Sequence, residues 1–354
     1  MASPPSKQPT VGMVYDNLAT FVERDIRILE SEYTVLRMPF EARPKWRLPL
    51  AFARQFMALL RQRGKVKVYV HQSAGYVSFL ACVLRPVLGC RNIIIAIGTD
   101  AARLPEIGYG HFCKWPLRWF ASVSYRRADL VLPVHRSLER SSYHYEAVEF
   151  PQQGFRAFVP GIKTRVVEMV NGYDSDRWRV ITPVEDRPKQ FLTVAVKLGE
   201  AGFHRKGIDV ILEVARRQPD FTFTLVTAFP DLEAVPANVN VIPPMPQQNL
   251  LEVYNRHAFY LQMSMFEGFP NALCEAMQSG CIPIGSAVAA IPDIIGTTGY
   301  VLERKSADQL EALLAKAHAQ GLPGNVRPEQ RIAYEFPLER RQREFLGHLK
   351  SLVR

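Results

Sequence analysis

Short apolar runs alternate with amphipathic segments along most of the chain. Val11–Tyr15 is apolar, and the next segment has apolar residues at positions 18, 22, 26 and 29, a spacing that predicts a helix. Ile93–Ile97 is apolar throughout, which predicts a strand buried on both faces of a parallel sheet. The alternation continues through Leu130–Pro133 to a helix expected from about Arg136, whereas the aperiodic Glu149–Lys163 predicts a loop. Such alternation predicts a doubly wound α/β unit.

The pattern then restarts. Thr182–Pro188 is polar and contains proline, which is typical of a linker, and Gln190–Val196 begins a second series of strands and helices. The sequence therefore predicts two Rossmann-like domains, residues 1–178 and 179–337. A C-terminal helix over 338–354 is expected to pack back on the first of them.

Size and composition describe an ordinary globular protein. The chain has 354 residues, of which 47% are hydrophobic and 22% charged, and its longest apolar runs fall well short of the roughly 20 residues of a membrane span. The first ten residues lack an apolar signal core and predict a short disordered lead-in. The five cysteines show neither CxxC pairing nor a His-rich partner spacing, which indicates reduced thiols in a cytoplasmic protein and no metal site.

Charge divides the chain unevenly. Residues 1–178 hold 25 Lys and Arg against 15 Asp and Glu, whereas residues 179–354 hold 19 of each, so the net charge of +10 belongs to the first half. Two basic, aromatic helices are expected there, over Trp46–Arg63 and around Lys114–Arg127. Each is either a core-facing helix with a solvated basic face or a contact with a membrane surface. Nucleic acid would also explain the charge, but no recognition motif for it is present.

Two carboxylates define the segment with the clearest chemistry, Met265–Pro283. Glu267 follows an apolar run, and Glu275 comes eight residues later in a periodic segment that begins near Pro270 and ends at Gly280. Proline at a helix start and glycine just past its end predict a strand, a tight loop and a helix. Because ligands of α/β sheets bind at the carboxyl ends of strands, the two carboxylates are candidates to grip one ligand. The alternative is a pair of solvated surface side chains.

A basic segment in the same domain complements these acids. Lys197 ends the first predicted strand, and Phe203–Gly207, which includes Lys206, leads into the next helix. Positive side chains beside a helix N-terminus suit a diphosphate. The chain has no GxxxxGK[ST] motif, and no GxGxxG follows its first strand, so neither usual phosphate loop is predicted.

These residues resemble a known family. Glu267 and Glu275 separated by GFPNALC, followed by EAMQSGCIPIGS, resemble the signature of retaining glycosyltransferase family 4, within the glycosyl transferases group 1 of the GT-B fold. Supporting segments in the same order are VNGYDSDRW at Val170–Trp178 and RKGIDVILEVA at Arg205–Ala215. The resemblance implies two Rossmann-like doubly wound domains facing each other across a cleft. The first would bind the acceptor and the second the nucleotide-sugar donor.

The resemblance also implies residue roles. Lys206 would neutralise the donor diphosphate, Glu267 would contact the transferred sugar and is catalytic in that sense, and Glu275 would accept hydrogen bonds from the ribose. Further donor-binding positions would be Lys197, Pro244, Met245, Gly268, Phe269, Pro270, Asn271, Ala272 and Leu273. Acceptor-side positions would be Asn17, Gly98 and Asp100. No metal or other cofactor would be required, the anomeric configuration would be retained, and the leaving phosphate itself would take the acceptor proton.

The chain departs from the family pattern at three places. Lys197 stands where an Arg is usual, which keeps the charge but loses the bidentate fork. Ile97 replaces a His near the sugar, which suggests either a donor such as a deoxyhexose, whose 6-hydroxyl is absent or not read, or a structural role for Ile97. The N-terminal Gly-Gly loop is missing, with Gly12 alone before Met13–Asn17.

The expected function is transfer of a sugar from a nucleotide-diphosphate-sugar to a lipid-linked or cell-envelope glycan. The reaction would take place at the cytoplasmic face of the membrane, with the protein bound peripherally to that surface and without a nucleic-acid partner. Two alternatives remain: a nucleotide-sugar epimerase of the same fold, and a non-catalytic carbohydrate-binding relative.

Overall fold

Two parallel six-stranded sheets form the framework of the protein, as the alternating pattern predicted. The computed structural model describes residues 8–196, 200–228 and 235–353. The first seven residues of the expected lead-in, and Lys197, lie outside that part of the chain.

The first sheet has the order β2-β1-β3-β4-β5-β8, and all its strands are parallel. Its strands are β1 (Thr10–Tyr15), β2 (Thr34–Pro39), β3 (Val66–Gln72), β4 (Arg91–Ala96), β5 (Leu130–Pro133) and β8 (Arg165–Val166). Between the last two, β6 (Ser141–Ser142) and β7 (Gln152–Gln153) form a small antiparallel pair. The helices around this sheet are α1 (Thr20–Glu30), α2 (Leu48–Arg61), α3 (Tyr76–Leu88), α4 (Leu117–Arg127) and α5 (Phe155–Phe158).

The second sheet has the order β11-β10-β9-β12-β13-β14, also fully parallel. Its strands are β9 (Phe191–Val194), β10 (Phe223–Val226), β11 (Val239–Ile242), β12 (Phe259–Gln262), β13 (Ile282–Ser286) and β14 (Tyr300–Leu302). Its helices are α6 (Glu200–Arg205), α7 (Ile208–Arg217), α8 (Leu250–Asn255), α9 (Asn271–Gln278), α10 (Ile291–Ile295), α11 (Ala307–Gln320) and α12 (Pro328–Glu335).

The buried central strands explain why periodicity predicted the framework well. Ile93, Ile94 and Ile95 of β4 are fully buried, as expected of a parallel strand covered by helices on both faces. In the second domain, α9 begins directly after Pro270 and is followed by Gly280, whose φ of 86° is one that glycine adopts without strain.

The predicted helix after β5 is wrong. Arg136–Leu138 forms a single 3₁₀ turn, where the His135 side chain accepts a hydrogen bond from the backbone N–H of Ser137. The chain then pairs β6 with β7, so the segment expected to be an unstructured loop also contributes a strand and the short α5. Local propensity did not foresee this antiparallel pairing because it joins residues about ten positions apart.

The last helix, α13 (Leu338–Val353), returns to the first sheet. Its Arg341 is 1% exposed and forms a two-pronged ion pair with Asp25 of α1, with both N···O distances at 2.7 Å. Arg341 also donates to the backbone carbonyl groups of Met169 and Val170. A charge this deeply buried requires partners of this quality, so Asp25 and Arg341 hold the end of the chain on the first domain.

The chain passes between the halves at two adjacent places. The backbone N–H of Tyr173 donates to the carbonyl of Phe336, and the N–H of Leu338 donates to the carbonyl of Tyr173. Gly172 allows this approach, since a Cβ atom there would lie 2.8 Å from the Cα of Leu338. The two crossings are therefore bonded to each other.

The five cysteines are free thiols, and four of them are buried. Within residues 8–196, 200–228 and 235–353, no helix combines the length and the apolar character needed to cross a bilayer.

Candidate active site

The order of the second sheet determines where a ligand can bind. Strand order reverses between β9 and β12, and in open α/β sheets the crevice outside the carboxyl ends of such strands is the usual ligand site. The chain after β9 leads through α6 to Arg205 and Lys206, and the loop after β12 carries Glu267. Topology alone therefore brings the predicted cations and the first predicted carboxylate to one crevice.

Glu267 is the centre of a charged cluster in this crevice. Its Oε1 atom accepts hydrogen bonds from Lys206 Nζ at 2.5 Å, Ser264 Oγ at 3.0 Å and Arg205 Nη1 at 3.4 Å. Burial would raise the pKa of Glu267, but the charges of Lys206 and Arg205 and the hydrogen bonds outweigh it and hold the pKa below its ordinary value. Glu267 is therefore ionised at neutral pH. Among the described residues nothing donates to its second oxygen, Oε2.

The first domain closes the opposite side of this crevice. A cavity of about 380 Å³ has Arg205, Lys206 and Glu267 on one wall. The facing wall is largely apolar and consists of Phe21, Ile95, Ile97 and Val134, together with Thr99, Tyr109 and Gln72. Ile97 therefore lines the cavity, half-buried, at the position where the sequence departs from the family pattern. The cavity has a polar side suited to a charged ligand and an apolar side suited to a ring or methyl face.

The loops of the two domains touch at a pair of glycines. A Cβ atom on Gly268 would lie 1.9 Å from the carbonyl oxygen of Ile97, and one on Gly98 would lie 2.9 Å from the backbone nitrogen of Gly268. The ring of Tyr109 in the first domain also lies under the guanidinium of Arg205, 4.9 Å from its centroid. Both domains therefore contribute to one closed site.

Glu275 lies on α9 and lines a second cavity of about 500 Å³ that shares Asn271 with the first. Its Oε1 atom accepts a hydrogen bond from Gln247 Nε2 at 2.6 Å, and its Oε2 atom accepts one from the Tyr254 hydroxyl at 3.3 Å. Burial raises the pKa of Glu275 to about 7, against the opposing effect of these hydrogen bonds and of Arg177 and Arg24. Glu267 and Glu275 thus have opposite pKa shifts.

We expect Glu275 to make the protein less stable as pH rises. In the unfolded chain a Glu ionises near pH 4.3, whereas Glu275 in the folded chain keeps its proton until about pH 7. Between these values the folded protein holds a proton that the unfolded chain has released, so a rising pH favours unfolding, by about 2–3 kcal/mol between pH 5 and 7.5. Denaturant titrations at pH 5 and 7.5 should show this loss in the wild type and a smaller one in Glu275→Gln.

Glu267→Gln is the matched control for this measurement, because the pKa of Glu267 is lowered and its removal cannot flatten the same profile. Equal slopes for wild type and Glu275→Gln between pH 5 and 7.5 would contradict the assignment.

The start of α9 lies between the two carboxylates. Asn271 and Ala272 are half-buried and line the first cavity together with Gly268, Phe269 and Pro270, whereas Leu273 is fully buried in the core. The first N–H groups of a helix have no intrahelical acceptor, so the α9 backbone can meet an anion or sugar hydroxyls. The predicted contact through Leu273 is limited to its backbone.

The structure does not support a direct acceptor contact for Asp100. This side chain is fully buried, and its carboxylate accepts from the backbone N–H groups of Ala74, Ile97 and Gly98 and from the Tyr125 hydroxyl. With four donors satisfied, Asp100 fixes the loop that carries Gly98. Asn17 is exposed on the loop after β1 and does not line either cavity.

Two further predicted donor residues, Pro244 and Met245, follow β11 and are half-buried, outside both cavity walls. Gln247, two residues further on, bonds to Glu275, so this segment does approach the second carboxylate. Lys197 lies outside the described residues, and its predicted contact with the donor stays a prediction.

Sequence reasoning missed three participants. Arg205 was visible in the basic segment but was not assigned a role, although it contacts Glu267. Gln247 and Tyr254 bond to Glu275, and no local pattern marks either of them. Within the described residues, no group of three or more His, Cys, Asp or Glu side chains is arranged to hold a metal ion.

Comparison with known proteins confirms the resemblance noted in the sequence. Residues 193–319, most of the second domain, match the family described as glycosyl transferases group 1. No protein of curated function matches the sequence.

Solved structures of GT-B glycosyltransferases share the fold over nearly the whole chain. Sucrose-phosphate synthase from Thermosynechococcus elongatus superposes with a TM-score of 0.71 at 13% identity, covering 98% of this chain and 99% of that one. The HepE protein of Anabaena, in complex with UDP and glucose, gives 0.69 at 11% identity, covering 98% and 100%. The UDP-forming α,α-trehalose-phosphate synthase of Burkholderia vietnamiensis gives 0.67 at 11%, covering 97% of each chain. At these identities the likeness establishes the fold.

Proposed function

We propose that this chain, a glycosyltransferase of the GT-B type with a glycosyl transferases group 1 domain in its second half, transfers a sugar from a nucleotide-diphosphate-sugar. The observation that carries the proposal is the convergence of Arg205, Lys206 and Glu267 in a crevice closed by the first domain. Two cations beside a buried carboxylate suit a ligand that is anionic at one end and rich in hydroxyl groups at the other. Several structural relatives are in complex with UDP, UDP-glucose or ADP, which supports this class of donor.

The site residues have distinct proposed roles. Lys206 and Arg205 neutralise the diphosphate as its charge grows on bond cleavage, the main electrostatic contribution to such a transfer. Glu267, held ionised, accepts hydrogen bonds from the transferred sugar through Oε2. Glu275 accepts them from the ribose, in exchange for those of Gln247 and Tyr254. The N-terminal end of α9, with Gly268 to Leu273, presents its backbone N–H groups to the sugar or the phosphate.

Retention of anomeric configuration and independence from metal ions are part of the proposal. Lys206 and Arg205 pair with Glu267 and lower its pKa, which makes this carboxylate a weak base, and we propose that the departing phosphate takes the acceptor proton instead. Because Lys206 and Arg205 already supply two positive charges, we expect no metal cofactor. Activity in the presence of EDTA and the anomeric configuration of the product, read by NMR, check these two points.

We propose a lipid-linked or cell-envelope glycan as the acceptor, at the cytoplasmic face of the membrane and with the protein bound peripherally. The support is the excess of positive charge in the first domain, which suits an anionic surface. The apolar wall with Ile97 supports a donor sugar whose 6-hydroxyl is absent or not read.

Thermal-shift measurements with UDP-, GDP-, ADP- and dTDP-sugars test the donor site. A donor at 100 times its dissociation constant adds about 2.7 kcal/mol of stability, enough to raise the melting temperature by a few degrees. We expect one base to stabilise the wild type and not Glu275→Ala, and a deoxyhexose donor to exceed its hexose counterpart. Strong preference for UDP-glucose or GDP-mannose would contradict the deoxyhexose proposal, and no shift with any donor would contradict the function. Product analysis with donor alone separates transfer from epimerisation.

A further inference from the structure

One side of the first domain exposes an unusual amount of aromatic surface. Three of the four tryptophans are exposed, Trp46 by 73%, Trp115 by 75% and Trp119 by 51%. Leu50 and Met57 of α2 are also nearly half exposed and lie seven residues apart, on one side of that helix. Trp46 lies four residues before Leu50, in the turn that leads into α2. We call these five side chains the aromatic face. Large apolar groups clustered in this way mark a surface that contacts something other than water.

The two parts of the aromatic face belong to one surface. Phe52 of α2 stacks on Phe120 of α4 with ring centroids 5.5 Å apart, and Phe79 of α3 contacts both Phe120, at 4.6 Å, and Trp119, at 5.3 Å. A shallow, almost wholly apolar depression of about 370 Å³ opens among these rings. The aromatic packing therefore fixes α2, α3 and α4 as one rigid platform.

The charge around the aromatic face is of one sign. Residues 42–99 contain ten Lys and Arg and not a single Asp or Glu. Lys45 and Arg47 flank Trp46, while Lys114 and Arg118 flank Trp115 and Trp119, and all four basic side chains are exposed. None of the four forms an ion pair with any residue in the described part of the chain. The platform thus combines exposed indole rings with uncompensated positive charge.

Topology places this platform beside the site. The segments carrying Trp46 and Trp115 follow β2 and β4 and lead into α2 and α4, so both tryptophans lie toward the carboxyl ends of the strands. The same edge of the sheet carries Ile97 and Gly98 into the cleft. The aromatic face and the mouth of the cleft therefore lie at one end of the domain.

We propose that the aromatic face docks on an anionic lipid bilayer, with the indole rings at the level of the headgroups and the flanking Lys and Arg on lipid phosphates. Tryptophan, apolar with one polar N–H, favours that layer, and basic side chains strengthen attachment to anionic lipids. A second copy of the same face is a poor partner, because two unpaired positive surfaces would repel. In combination with the proposed function, this orientation opens the cleft toward a lipid-linked acceptor in the same membrane.

Vesicle sedimentation with the full chain tests the docking. We expect binding to phosphatidylcholine vesicles containing phosphatidylglycerol, weak binding to pure phosphatidylcholine, and loss of binding at high salt. Trp115→Ala/Trp119→Ala should weaken the partitioning about tenfold or more, and so should Lys45→Glu/Lys114→Glu. Brominated lipids should quench the tryptophan fluorescence of the wild type, because Trp178 is buried and most of the emission from exposed rings comes from this face.

Matched controls lie in the second half of the chain. Tyr334→Ala removes an equally exposed aromatic ring, and Arg304→Glu/Lys316→Glu makes an equal charge change at exposed positions, so neither should alter vesicle binding. Unchanged binding in both aromatic-face variants, or equal binding to uncharged vesicles, would overturn the proposal. A dimer in sedimentation velocity that dissociates in Trp115→Ala/Trp119→Ala would identify the face instead as a contact between copies.

The experiments can refute the membrane docking and the proposed function independently of each other. Hydrolysis of the donor by water needs no membrane, so the aromatic-face variants should retain it, together with the thermal shift caused by the donor. If the protein binds vesicles but neither hydrolyses nor binds any donor, the docking proposal stands and the proposed function is refuted.

Discussion

Lys206→Ala is expected to reduce donor turnover about 100- to 1,000-fold, the range found when one group that stabilises transition-state charge is removed. Lys206 Nζ lies 2.5 Å from Glu267, at the crevice where the leaving diphosphate would accumulate charge, and Arg205 lies further from the same carboxylate. Release of nucleoside diphosphate from the donor that stabilises the protein, measured at saturation with water as acceptor, reports the effect without a known acceptor.

Lys189→Ala is the control for Lys206→Ala, since Lys189 is an exposed lysine of the same domain that bonds only to the carbonyl of His318 among the described residues. Its turnover should equal that of the wild type. The double variant with Glu267→Gln adds a second criterion: because both residues act in one cluster, it should be little worse than the poorer single variant. Lys206→Ala with more than a third of the wild-type turnover would contradict the assigned role.

Gly268→Ala is expected to lower turnover about 100-fold while the second domain keeps its affinity for the nucleotide. The added Cβ would lie 1.9 Å from the carbonyl oxygen of Ile97, a contact that the backbone of the first domain can relieve only by moving away. Displacement of reacting groups by about 1 Å is enough for an effect of this size. Calorimetric titration with the nucleoside diphosphate separates retained binding from lost turnover.

Gly347→Ala provides the control, because a Cβ there has open space. Small-angle scattering should show a larger radius of gyration for Gly268→Ala than for this control in the presence of donor. Normal turnover in Gly268→Ala would mean that the contact between the two loops is not needed for the reaction.

Hydrophobic periodicity predicted most of the framework because the strands are central and parallel. Ile93 to Ile95 are covered on both faces of the sheet, and a strand buried in this way has a continuous apolar sequence that can be recognised directly. The same reasoning failed at Arg136, where the structure depends on a pairing between β6 and β7 and not on local propensity.

The sequence allowed prediction of those residues of the candidate site that lie within a recognisable motif. Glu267, Lys206 and Glu275 were found because they flank helices and strands with clear patterns. Their chemical states could not be predicted. The low pKa of Glu267 depends on the charges of Lys206 and Arg205 beside it, and the high pKa of Glu275 depends on its burial, and both are set by the fold. Asp100, predicted on the acceptor side, illustrates the same point. Nothing in the sequence indicates that its carboxylate already accepts hydrogen bonds from Ala74 and Tyr125 of other segments, as well as from the neighbouring Ile97 and Gly98.

The bonded crossings at Tyr173 and Phe336 to Leu338 restrict how the two domains can move. A single tether would permit rotation about any direction, but two tethers joined side by side leave one easy rotation, about the line that runs through both. Arg341 anchors the second tether to Asp25 immediately beyond the crossing, so the pivot stays at that point. Opening and closing of the crevice should therefore be a hinge rotation of one domain against the other about this line. The largest travel then occurs at the far rim of the crevice, and the smallest beside Tyr173 and Asn271, whose side chains are hydrogen-bonded at 2.8 Å.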